Sequence, residues 1–311
     1  MALHPEAQVM LDLMQAVDLH AGDDADPVVW RAALEQFAQA GAAMAEPVAE
    51  VEDWTVPGSP DGIPVRIYKP SAEPGLPVLV WLHGGGCAIG SVETHDAICR
   101  SVANAVGCIV VSVEYRLAPE HRYPAALDDA FAATQWVAAN ADELGGDPAR
   151  IAVGGDSAGG NLTAVVSLLA RDAGTPSLVM QLLVYPVTDH EFESPSMVDN
   201  ATGYFLERDS MRQFYEWYCA APADADDWRV SPMRAADLAG LPPAIVVTAE
   251  YDPLRDQGEA YARKMEAAGV PVQLLRYDGV FHGFFGMGAM MEPSRRAFDD
   301  VVDGLQRAFK G

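Results

Sequence analysis

Ser157 lies in Gly155-Asp156-Ser157-Ala158-Gly159, directly after the apolar run Arg150-Ile151-Ala152-Val153-Gly154. A serine between two glycines at the end of such a run has the pattern of a nucleophile elbow, a sharp strand-to-helix turn that presents the hydroxyl to a substrate carbonyl. Side chains at 155 or 159 would obstruct that turn. A serine hydroxyl is a poor nucleophile at neutral pH, so it needs a base to take its proton and a third group to orient the base. His282, in Phe281-His282-Gly283-Phe284, and Asp252, in Glu250-Tyr251-Asp252-Pro253-Leu254, have the required chemistry, and each follows a candidate strand. Glu250 and Asp256 compete for the acid's role; Asp252 is favoured because it stands where the loop leaves the strand.

A fourth component is His83-Gly84-Gly85-Gly86, at the end of the apolar run Pro77–Leu82. Attack on a carbonyl creates an oxyanion, and each well-placed backbone N–H lowers that barrier by roughly 2.7–4 kcal/mol. Glycines let the backbone approach closely. The expected donors are the amides of Gly84, Gly85 and Ala158, the last at the positive end of the following helix. His83 reads as a hydrogen-bonding residue that shapes the glycine loop. Asp156 is expected to stabilise the elbow, and Tyr115-Arg116 to support the oxyanion loop.

The elements that must position these groups follow from hydrophobic periodicity. Pro5–Leu19 and Asp26–Met44 carry apolar residues at helical spacing (Val9, Met10, Leu13, Met14 and Val17 in the first) and predict amphipathic helices. Glu50–Val56 and Pro64–Tyr68 alternate like half-buried strands around a Gly/Pro turn, which predicts a hairpin. Continuous apolar runs follow at Pro77–Leu82, Cys108–Val113, Arg150–Val153, Met180–Tyr185, Ala244–Thr248 and Val272–Tyr277, as expected of parallel strands covered on both faces. Helical segments separate them near Asp96–Val106, Pro124–Asn140, Gly160–Ala173 and Asp256–Ala268, and a last helix spans Pro293–Phe309. The fold class is therefore α/β, with a mostly parallel sheet of about eight strands flanked by helices.

Between Asp189 and Leu241 the alternation stops and aromatic residues accumulate, which predicts a folded lid rather than a plain loop. The expected organisation is an N-terminal helical part of a cap over 1–48, a catalytic core over 49–188, a second cap segment over 189–241 and the rest of the core over 242–311. Of the lid's aromatics, Tyr204, Phe205 and Trp217 are candidates for lining a substrate pocket.

Composition narrows the function. Asp and Glu outnumber Lys and Arg by 45 to 20, giving a formal charge of -25, and such a field repels nucleic acid. The same charge suggests salt tolerance and neutral substrates. No apolar run approaches the ~20 residues of a membrane span, and the N-terminus lacks a signal-peptide pattern. Cys87, Cys99, Cys108 and Cys219 show no paired spacing and read as reduced thiols. No metal-ligand cluster stands out among the histidines, so no metal or other cofactor is expected, and the location expected is cytoplasmic.

His83–Gly86, Glu114-Tyr115-Arg116-Leu117-Ala118-Pro119-Glu120, Gly155–Gly160, Asp252-Pro253-Leu254 and His282-Gly283-Phe284 stand in the order of the motifs of the hormone-sensitive-lipase family (family IV) of α/β-hydrolase carboxylesterases. Over about residues 50–305 the chain resembles a bacterial member of that family. The resemblance implies an α/β-hydrolase fold with a two-part helical cap, and hydrolysis of short- to medium-chain acyl esters through a Ser157–His282–Asp252 triad and an acyl-enzyme. It also implies a small-molecule ester as partner and homodimers through the edge strand at Val272–Tyr277. Such proteins commonly carry an aromatic residue after the three glycines; here it is Cys87, which either widens the pocket or packs as a small apolar group. Two other readings use the same residues: an amidase or peptidase, and a non-catalytic small-molecule receptor on a hydrolase scaffold.

Overall fold

The computed structural model describes residues 2–16, 26–41, 45–288 and 290–311. Among these, eight strands form one sheet in the order β1-β2-β4-β3-β5-β6-β7-β8: β1 (Glu50–Val56), β2 (Ile63–Lys69), β3 (Leu76–Leu82), β4 (Ile109–Val113), β5 (Gly146–Asp156), β6 (Met180–Val184), β7 (Ala244–Tyr251) and β8 (Val272–Phe281). The hairpin β1–β2 is antiparallel and β2 pairs antiparallel with β4; every pairing from β4 to β8 is parallel. All five residues of β4 and of β6 are buried, which is why these segments read as continuous apolar runs rather than alternating ones.

Alternate side chains along one strand feed the two faces of the sheet. On β3, Val78, Val80 and Leu82 join a core with α4 (Ala125–Ala139) and α5 (Ala158–Ala173). Leu79 and Trp81 join a second core with α3 (Asp96–Val106) and α9 (Glu292–Lys310). A third apolar cluster packs α8 (Arg255–Ala267) beside α5.

The N-terminal helices are α1 (Pro5–Ala16) and α2 (Pro27–Gly41). The expected ends at Leu19 and Met44, and Val17 of the expected stripe, lie outside the described residues. Between β6 and β7 the described residues contain no strand. They form α6 (Pro195–Asp199), α7 (Arg208–Tyr218) and the 3-10 turns Pro222–Asp226 and Pro232–Arg234. Met211, Phe214, Tyr215 and Tyr218 recur at three- and four-residue spacing and form the buried face of α7. Trp30 of α2 stacks on Phe214 with ring centroids 5.0 Å apart, so the N-terminal helix and this insertion pack together.

Candidate active site

Four chemically informative residues each stand one position past the carboxyl end of a parallel strand. His83 follows β3, Ser157 follows β5, Asp252 follows β7 and His282 follows β8. Because these strands run parallel, their ends share one edge of the sheet, and residues 125 positions apart meet there. His282 Nε2 lies 3.0 Å from Ser157 Oγ and His282 Nδ1 lies 2.8 Å from Asp252 Oδ2. The second oxygen of Asp252 accepts the Leu254 N–H at 2.8 Å, which fixes the carboxylate plane. Asp252 is fully buried, and Ser157 and His282 are nearly so. The competing acids are engaged elsewhere: Glu250 accepts the Gly279 N–H at 2.8 Å, and Asp256 accepts the Ser196 N–H at 2.8 Å.

The elbow owes its shape to its glycines. Ser157 has φ 56° and ψ -116°, a conformation that costs a non-glycine residue of order 1–3 kcal/mol and is kept only where its surroundings fix it. A Cβ on Gly155 would fall 2.7 Å from the carbonyl carbon of Gly159, and one on Gly159 would fall 2.6 Å from the His83 carbonyl oxygen. The turn thus presses against the glycine loop after β3.

That loop corrects one expectation. The Gly84 N–H donates to Asp156 Oδ1 at 3.0 Å and lies 3.3 Å from His95 Nε2, so this amide is already engaged and does not serve as an oxyanion donor. Among the described residues the Gly85 and Gly86 amides donate no hydrogen bond. Ala158, the first residue of α5, has no intrahelical acceptor for its N–H. The amides free to meet a developing negative charge are those of Gly85, Gly86 and Ala158. His83 Nδ1 lies 2.8 Å from the Gly84 carbonyl; the acceptor is an oxygen, so Nδ1 carries the proton. Burial, reinforced by His95, pushes the His83 pKa down to about 3 and keeps the ring neutral. Tyr115 donates to the His83 carbonyl at 2.6 Å, whereas Arg116 turns to Asp129 of α4 at 2.8 Å. Tyr115 alone of that pair touches the loop region.

Beside Ser157 a cavity with about 330 Å³ of empty space, part of it open to solvent, is lined by Gly86, Cys87, Ala158 and the α7 side chains Met211, Phe214, Tyr215 and Tyr218. Cys87 is thus part of the lining of this cavity. The three other pocket candidates lie elsewhere than on this cavity wall. Trp217 packs edge-on against Trp30 and Phe214, behind the wall. Tyr204 packs on Tyr251, and Phe205 lies near Phe281 and Gly283 on the His282 side.

Residues 79–286 match a family described as having the alpha/beta hydrolase fold. The chain is 47% identical over 269 residues to the carboxylesterase NlhH of Mycobacterium tuberculosis, with 84% of each chain covered. It is 39% identical over 324 residues to an ethyl acetate hydrolase of Pseudomonas putida, with 99% of each covered. The chain belongs to the hormone-sensitive-lipase family of α/β-hydrolases. Among solved structures, an ester hydrolase from the metagenome of Lake Arreo, complexed with a derivative of bipyridine phosphonate, superposes with a TM-score of 0.93 at 43% identity, covering 99% of this chain and 100% of that one.

Two features of this α/β-hydrolase escaped the sequence reading. The engagement of Gly84 by Asp156, which leaves the Gly85 and Gly86 amides unengaged, spans 72 residues and has no local pattern. The α7 wall is the second: its residues 211, 214, 215 and 218 have the spacing of one helical face, from which Trp217 is excluded.

Proposed function

We propose that the chain is a serine carboxylesterase that hydrolyses short- to medium-chain acyl esters through an acyl-enzyme. The observation that carries this reading is His282 bridging Ser157 and Asp252 at 3.0 and 2.8 Å beside unengaged amides. Ser157 Oγ attacks the ester carbonyl while His282 Nε2 takes its proton, and Asp252 accepts the Nδ1–H and stabilises the imidazolium. The amides of Gly85, Gly86 and Ala158 donate to the oxyanion. His282 then protonates the departing alcohol, and water repeats the sequence on the acyl-enzyme. The cavity wall is apolar where Met211, Phe214, Tyr215 and Tyr218 of α7 form it, which suits the hydrocarbon part of an acyl ester.

Residues 1–48 and 189–241 act in this reading as two parts of a cap, supported by the Trp30–Phe214 stack that joins them over the cavity. Four buried free thiols favour the cytoplasm. No helix among the described residues is long and apolar enough to cross a membrane. Pairing of two copies through β8 is supported by its place at the end of the sheet and by its half-buried residues from Val272 to Leu275. The test is Ser157→Ala against a chain-length series of chromogenic esters. The wild type should act best on short to medium chains, and the variant should lose about 10⁴- to 10⁶-fold in kcat. A rate that survives the substitution, or that rises toward water-insoluble triglycerides, overturns the reading.

A further inference from the structure

Asp156 stands next to the nucleophile, yet its carboxylate serves the loop rather than the triad. Its Oδ1 accepts the Gly84 N–H at 3.0 Å and meets His95 Nε2 at 3.1 Å. The other ring nitrogen, His95 Nδ1, lies 2.9 Å from Thr94 Oγ1 and 3.3 Å from the Ser91 carbonyl. The Thr94 hydroxyl already donates to the Ser91 carbonyl at 2.8 Å, so toward His95 it accepts. The Gly84 N–H also comes within 3.3 Å of Nε2, but its nearer acceptor is Asp156 Oδ1 at 3.0 Å, so each nitrogen of His95 has an acceptor of its own, an arrangement satisfied by an imidazolium with two N–H donors. The titratable groups around the ring agree with this. Asp156 comes from the elbow, and Glu114, after β4, accepts the Val92 N–H at 2.6 Å. His83, after β3, is neutral with its ring centroid 5.5 Å away. On the ring's own segment, Glu93 and Asp96 pair with Arg66.

We propose that His95 and Asp156 form a positioning pair that locks the oxyanion loop to the elbow carrying Ser157. A run of three glycines has more backbone freedom to lose than any other sequence, and an oxyanion hole works because its donors need no reorganisation. The pair fixes the amide of Gly84, while His83 Nδ1 fixes its carbonyl at 2.8 Å. That carbonyl belongs to the same planar trans peptide as the Gly85 N–H, so holding one end orients the other. Neither His95 nor Asp156 touches the reacting atoms; they act through the direction of the Gly85 and Gly86 amides. This role rests on the esterase reading above.

The test uses the full chain with His95→Ala, His95→Gln and Asp156→Asn, assayed for kcat and KM on 4-nitrophenyl butanoate, with thermal unfolding measured for each. His95→Ala and Asp156→Asn should lower kcat about 10- to 100-fold, less than or comparable with loss of one oxyanion donor, while KM stays within about threefold. His95→Gln keeps an N–H donor toward Asp156 and should recover most of the loss. An active wild type whose kcat survives His95→Ala overturns the positioning role alone, as does a glutamine variant no faster than the alanine variant. A loss that appears in KM rather than kcat in a folded variant also overturns it. If the wild type shows no ester hydrolysis, both readings fall.

Discussion

Gly84 gives its amide hydrogen to the carboxylate of Asp156 at 3.0 Å, tying the loop after β3 to the turn after β5. The contact has two effects. It engages the first glycine of the His83–Gly86 run, and it ties the loop to the elbow so that Gly86 and Ala158 line the same cavity. Gly84 is held so closely that a Cβ there would fall 3.0 Å from the Asp156 carbonyl oxygen and 3.1 Å from its carboxyl carbon. The glycine nearest the histidine is therefore a fastener, and the glycine nearest the cavity is the one most exposed to substrate.

Gly86→Ala should then be more damaging to turnover than to folding. Gly86 has φ 61°, in the left-handed region that costs an alanine roughly 1–2 kcal/mol, and its Cβ would lie 2.7 Å from Phe214 Cε1. Relief of that contact moves the amide away from the 2.7–3.1 Å range in which a donor acts on an oxyanion. The expected outcome is a fall in kcat of about 10²-fold with the variant still folded. Steady-state kinetics with unfolding curves check this, and an unaltered kcat would remove Gly86 from the donor set.

Cys87 should behave as packing rather than as a reactive thiol. It is 3% exposed, and burial pushes its pKa up to about 12, so at neutral pH it is a small uncharged group on the cavity wall. Iodoacetamide should label the native protein at this position much more slowly than after unfolding. Cys87→Phe should fill the cavity and lower the ratio of kcat/KM for hexanoate over acetate esters by about tenfold or more. A substrate profile unchanged by the phenylalanine means that position 87 does not limit the acyl chain.

The parts of this site that were legible in the sequence are local ones. Ser157, Asp252 and His282 each carry their context within a few residues, a buried run ending in a glycine-containing or proline-containing loop, and the strands fall where those runs lie. The donor set needed a contact between Gly84 and Asp156 that no local pattern encodes. The cavity wall was legible in principle, because Met211, Phe214, Tyr215 and Tyr218 share one face of α7 by spacing alone. Aromatic content without phase pointed instead to Trp217, which the helix turns toward Trp30. Tyr204 and Phe205 lie ahead of α7 in irregular chain, where periodicity gives no face to read.

The His95–Asp156 pair predicts a pH window for stability. Burial would lower the His95 pKa, but the charge and hydrogen bond of Asp156, with the Ser91 carbonyl and Glu114, together outweigh it, so the folded value sits above the ordinary histidine range. Its contribution is then complete below an unfolded pKa near ~6.5 and is lost as pH rises through the folded one. Burial would raise the Asp156 pKa, but the charge and hydrogen bond of His95, with smaller contributions from His83 and His282, together outweigh it and hold the carboxyl below the ordinary range. That contribution is present above an unfolded pKa near ~3.9 and is lost as pH falls through the folded one. The gap in unfolding midpoint between wild type and His95→Gln should be widest near pH 5–6 and should close on the alkaline side. A gap that is constant from pH 5 to pH 9 would show that the ring's second proton contributes nothing.

Trp30→Ala tests whether the N-terminal helix shapes the cavity from behind. Trp30 stacks on Phe214 at 5.0 Å with an interplanar angle of 18°, and Phe214 in turn sits against Gly86, so α2 supports the wall without reaching the substrate space. Arg31, the next residue, donates to the Ala88 carbonyl at 2.7 Å and anchors the helix to the oxyanion loop independently of the tryptophan. Loss of the ring should cost about 1–3 kcal/mol of packing and stacking while leaving that anchor intact. Phe214 then gains room to swing away from Gly86. The expected outcome is a shift of the chain-length optimum to longer acyl groups, with kcat on acetate esters nearly retained, measured on the same chromogenic series. If acetate turnover collapses instead, Trp30 holds the catalytic geometry through Phe214 and Gly86, and the cavity's size is set by α7 alone.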